Sequence, residues 1–225
     1  MRTRLGALAL ALAGVLFFLY PAVRPWHDES TVNGAATSMS SGAWVAAHLF
    51  AMIGFILVSL GLLALRDVIG GPLSSAAVVI TWIGAGLTLP YYGAEDFALH
   101  VAAQEYRKGQ QFDLLGVVNG FRYHPVAVTM FALGLLALAA GAILIAVAIS
   151  RSSVLPRWSG AMFALGFALF LPQFFTPAAL RIGHGVLMAI GCLWLAVAFN
   201  RSGHSATTSS ANPTPVSGRT MPAAR

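Results

Sequence analysis

Residues 89–100 read LPYYGAEDFALH and place two adjacent acids, Glu95 and Asp96, shortly before His100 inside an otherwise apolar run. On a helix Tyr92, Asp96 and His100 fall at i, i+4 and i+8 and share one face, with Glu95 about 100° round. A charged side chain at the centre of a bilayer costs about 2.5–3.5 kcal/mol on insertion scales, less toward the interface. Two acids in such a place must pair, take up protons, meet water or bind a cation. Arg181, three residues before His184, is the expected counter-charge. Four of the six histidines, His48, His100, His124 and His184, fall near the ends of separate apolar runs.

These residue types admit three chemistries. Neutral imidazoles with carboxylates beside them suit a transition metal such as zinc, copper or iron, with His48, Glu95, Asp96, His100, His124 and His184 as the candidate ligands. Two facing imidazoles from the set His48, His100, His124 and His184 would instead hold one b-type haem between helices. The third chemistry is a proton or ion pathway through Glu95 or Asp96 beside His100, as in a proton-coupled transporter or permease. A structural role stands beside all three, in which Asp96 bonds His100 or Arg181 and locks the helix ends together. HExxH, histidine boxes, aspartate-rich prenyl-phosphate motifs, GxSxG and the P-loop are all missing, which weakens every enzymatic reading.

The elements that would position these residues follow from composition. Of 225 residues, 58% are hydrophobic and 9% charged, and mean hydropathy is +0.78. Soluble domains carry about 25% charged residues, so the solvent implied is lipid. Apolar runs near the roughly 20 residues needed to cross hydrocarbon predict six spans, at about 5–22, 43–65, 76–102, 123–149, 158–176 and 181–199. The expected fold is therefore an all-α bundle of six transmembrane helices over residues 1–200, followed by a disordered cytoplasmic tail over 201–225. The basic, apolar N-terminus has no small-x-small cleavage site after Leu19 and reads as an uncleaved first span.

Loops 23–42 and 103–122 share one side in this topology, and loops 66–75 and 150–157 the other. Eight arginines against five basic residues place both termini in the cytoplasm, in the cell membrane, with the polar cluster facing out. Trp26 and Trp44 are expected at the outer interface and Trp158 at the inner one. Pro90 predicts a kink in the third span, since it cannot donate to the carbonyl of Gly86. Small residues at helix-packing spacing, Ala47, Ala51, Gly54, Gly134, Gly141, Gly183, Gly185 and Gly191, predict close helix contacts.

The net charge of +6 is spread over span ends, without the basic stripe that nucleic-acid binding needs. The expected partners are the lipid bilayer and, for a transporter of this size, a second copy of the chain, or else a partner subunit of a membrane complex. The single Cys192 excludes an intrachain disulfide.

The pieces LPYYGAEDFALH and LPQFFTPAALRIGHGVLMAIGCLWLA resemble small multi-pass membrane proteins of high-GC actinobacteria. The resemblance covers spans two to six. It implies the six-helix architecture and no activity.

Overall fold

The computed structural model describes the backbone over residues 1–210 and side chains through residue 202. The described residues are helical, without strands. Five helices are long and apolar enough to cross a membrane, Arg2–Val23, Gly42–Ile69, Gly71–Arg107, Pro125–Ser152 and Ala178–Ser202, which is compatible with a multi-pass membrane protein.

In chain order the elements are α1 (Arg2–Val23), α2 (Val32–Met39), α3 (Gly42–Ile69), α4 (Gly71–Gly93), a π-helical segment (Ala94–Ala98), α5 (Leu99–Arg107), α6 (Leu114–Arg122), α7 (Pro125–Ser152), α8 (Ala161–Ala168), a 3-10 turn (Pro172–Phe175) and α9 (Ala178–Ser210). α1 packs between α3 and α9, α4 pairs with α7, and α8 lies between α7 and α9; α3 meets α4 and closes the ring. α3 passes directly into α4 through Gly70 and Gly71, whose φ values of +69° and +81° are the left-handed backbone that glycine adopts without penalty.

The fifth expected span is not one helix. α8 has eight residues and ends at Ala168, four before Pro172, whose ring would clash with that carbonyl if the helix continued. The stretch nonetheless runs beside α7, since Gly160 abuts Ala146 and Ile149 and the Phe174 ring meets Phe131 at 5.5 Å. The last helix also extends beyond the expected 199, to Ser210. The tail expectation from 211 onward lies outside the described residues.

Association of helices in lipid depends on close van der Waals contact, because lipid is as apolar as leucine. The α4–α7 seam shows this most clearly. A Cβ built on Gly134 would lie 3.0 Å from the Gly84 carbonyl oxygen and from the Thr88 nitrogen, and one on Gly84 would lie 2.7 Å from the Leu138 nitrogen. Gly141 meets Thr81 in the same way, and Gly185 and Gly191 serve the α9 contacts, whereas Gly183 has open space where packing was expected.

One end of the ring is capped. The two 20-residue connections expected on a common side do meet there, but as helices: α2, α5 and α6 pack together around Met39, Trp44, Leu99, Ala103, Leu114 and Val118. Thr31, Ser41 and Asp113 cap α2, α3 and α6 by accepting from Gly34, Trp44 and Gly116 nitrogens at 3.1, 3.1 and 2.9 Å. Ser41→Ala is expected to cost about 1 kcal/mol, the usual worth of such a cap. An unchanged unfolding midpoint in detergent would show that the cap contributes nothing at this junction.

Candidate functional site

Beneath the cap, four charged side chains form a continuous chain. Arg24 Nη2 donates to Glu29 Oε1 at 2.7 Å. Arg122 lies 2.9 Å from the other Glu29 oxygen and grips Glu95 with two donors, Nε to Oε1 at 2.6 Å and Nη2 to Oε2 at 2.8 Å. The chain thus ties the end of α1 to the end of α6 and to the π segment. Trp44 lies beside it, its Nε1–H donating to the Glu95 carbonyl at 2.8 Å and its ring 4.8 Å from the Arg24 guanidinium. Burial disfavours the charged Arg122, but the hydrogen bonds and charges of Glu95 and Glu29 outweigh it and hold the group above its ordinary value. By linkage, stability contributed by a raised cation is present below its unfolded value and lost only in strong alkali. The chain therefore stays charged across the neutral range on its arginine side.

Two sequence expectations change here. The counter-charge to Glu95 is Arg122, not Arg181. Arg181 instead donates from Nε to Gln173 Oε1 at 3.0 Å and stacks on Trp26 and Phe174 at 4.8 and 4.9 Å. Trp44 was expected in an interfacial belt and is fully buried, because α2 and α6 cover it.

The histidines do not converge. His48 is buried with Tyr20 and Tyr92, the three rings 5.7–5.9 Å apart in pairs, and its Nδ1 lies 2.8 Å from the Trp44 carbonyl. A carbonyl only accepts, so Nδ1 carries the proton and Nε2 keeps its lone pair in the neutral ring. His100 is tied to the Met39 carbonyl in the cap by Nδ1 at 2.7 Å. His184 Nε2 reaches the Gly166 carbonyl at 2.8 Å across the α8–α9 seam. His124 is exposed at the start of α7.

A metal or haem fits this arrangement poorly. Among the described residues no three His, Cys, Asp or Glu side chains come together as a set that could hold a metal ion. A haem needs a flat slot between facing imidazoles, and the space inside the ring is taken by Phe17, Phe55, Tyr92 and Phe170, with neighbouring ring centroids 5.1–5.9 Å apart.

Asp96 stands apart from all these ties. It is fully buried, and neither carboxylate oxygen has a hydrogen-bond partner; Gln173 Nε2 is likewise unpartnered, whereas Tyr92 interacts with Tyr20, the two rings 5.7 Å apart. The helix runs through Pro90 and departs from α geometry only at Ala94–Ala98. A π turn admits one extra residue, and such turns recur at functional sites. Here it brings both acids inward, with Glu95 on Arg122 and Asp96 without a hydrogen-bond donor, the His100 imidazole being the charge-bearing group that acts on it.

Sequence reasoning missed Arg24, Glu29 and Arg122. A signal was present, since the capped end carries six acids, Asp28, Glu29, Glu95, Asp96, Glu105 and Asp113, against five bases, Arg24, Arg107, Lys108, Arg122 and Arg181. Opposite charges so evenly matched at one end invite pairing. No family model, curated protein or solved structure matches the chain.

Proposed function

We propose that the protein is an integral protein of the cell membrane that crosses it six times with both termini in the cytoplasm, and that it is a proton-coupled carrier in which Asp96 takes up the proton. The observation that carries this reading is the complete burial of Asp96 with both oxygens unpartnered, in a helix long and apolar enough to span a bilayer. Intramembrane carboxylates are costly and mark ion and proton paths. An ionised carboxylate buried without donors loses its hydration with nothing in return, so it requires a proton or a cation. Glu95 does not share this need, because Arg122 satisfies it. His48 and Tyr92, whose rings lie 5.9 Å apart, are groups able to accept and donate a proton. The sixth crossing is supported by the course of residues 160–174 beside α7.

The test is proton uptake by proteoliposomes containing a trapped pH-sensitive dye under an imposed pH gradient, together with infrared spectra of the purified protein. The parent is expected to take up protons and to show a protonated-carboxyl stretch. Asp96→Asn keeps the shape and is expected to abolish both while leaving the unfolding midpoint near that of the parent. If that variant matches the parent in uptake, the reading is wrong.

A further inference from the structure

We propose that the end of the bundle opposite the cap binds one anionic two-chain phospholipid, its phosphate held at Arg201 and Arg4 and its chains lying in grooves on either side of α9. Charge is divided unequally between the two ends. The capped end is nearly balanced, whereas the opposite end carries Arg2, Arg4, Arg66, Arg151, Arg157 and Arg201 with Asp67 as its single acid among the described residues. Asp67 lies 3.7 Å from Arg2 and 3.5 Å from Arg66.

Two cavities open at this end. The first, of about 340 Å³, lies between α1 and α9 and is lined by Arg4, Leu8, Ala11, Leu193, Asn200 and Arg201 among others. The second, of about 260 Å³, lies between α9 and the segment joining α7 to α8, with Val154, Pro156, Trp194 and Arg201 in its wall. They share Val197 and Arg201. Each thus has an apolar floor with a guanidinium at the helix end, and one arginine serves both mouths.

That pattern selects the ligand class. An apolar groove alone would accept any lipid tail. A planar guanidinium adds a fork that matches the two non-bridging oxygens of a phosphodiester, and basic pockets between transmembrane helices are suited to acidic headgroups. A guanidinium has five donors, so partners that Arg4 and Arg201 already have do not exhaust them. Two grooves meeting at one arginine match two acyl chains meeting at one phosphate.

The experiment uses the full chain in nanodiscs of phosphatidylcholine, with phosphatidylglycerol added in one arm and inorganic phosphate in another. The unfolding midpoint and the lipid retained by native mass spectrometry are read. Phosphatidylglycerol is expected to raise the midpoint and to be retained over phosphatidylcholine by about tenfold, with inorganic phosphate without effect. Arg201→Gln and Arg4→Gln are each expected to remove the preference, while Arg151→Gln, with the same loss of charge outside both grooves, keeps it. Equal retention of the two lipids, an equal response to inorganic phosphate, or an equal loss in Arg151→Gln would each overturn the proposal.

Discussion

Arg122→Met is expected to lower the unfolding free energy by about 3–5 kcal/mol, because it leaves Glu95 buried with no counter-charge. The loss is large for a definite reason. Glu95 receives both its donors from Arg122, whereas Glu29 keeps Arg24 at 2.7 Å. Glu95→Gln combined with Arg122→Met removes the stranded charge and is expected to recover a substantial part of the loss. A double-mutant cycle by detergent-induced unfolding reads the coupling. Added salt is expected to change the result only modestly, since Glu95 is buried and Arg122 mostly so, which leaves the pair weakly screened. A single-variant cost below about 1 kcal/mol, the range of an exposed pair, would mean that the chain does not hold the cap to the bundle.

Gly134→Val is expected to be the most damaging change within the apolar part of the chain. Its Cβ would lie 2.5 Å from Thr88 Oγ1 and 3.0 Å from both the Gly84 carbonyl oxygen and the Thr88 nitrogen, and the last two of those three contacts are with backbone that cannot rotate away. Overpacking costs about 1–3 kcal/mol where side chains yield, and here the whole α4–α7 seam must open. The expected outcome is failure to accumulate as folded protein, or a midpoint far below that of the parent. Gly183→Ala is the control, since a Cβ there meets nothing within 4 Å, and it is expected to be neutral or mildly stabilising as alanine replaces glycine in a helix. Equal damage from the two substitutions would place the cause in the local helix rather than in the seam.

The two effects differ in how visible they are in the sequence. Gly134 and Gly141 sit seven residues apart in an apolar run, and that spacing alone predicts a helix seam in lipid. Arg122 is 27 residues from Glu95, in a stretch that reads as a loop. Arg181 looked the better partner because it lies within an apolar run near His184, yet its guanidinium rests on Trp26 and Phe174. A helical wheel at 100° per residue also cannot anticipate the inserted residue of a π turn. For that reason Glu95 and Asp96 could be singled out together but not separated into a paired acid and an unpartnered one.

The sequence by itself determined that the described chain is helical, with helices long and apolar enough to cross a membrane. Long uncharged runs can satisfy their backbone only as helices in lipid, and the charges between them mark where those helices end. The same logic placed the two long connections on one side, where α2, α5 and α6 form the cap. Tertiary structure alone decided which polar groups find each other. Pairing depends on the angular position of each helix and on how far a side chain reaches across the bundle, and neither quantity is carried by spacing along one chain. It left Asp96 buried and unpartnered while its neighbour Glu95 received two donors from the far end of α6. It also separated four histidines that share a level in the sequence into the interior, the cap, the surface and the α8–α9 seam.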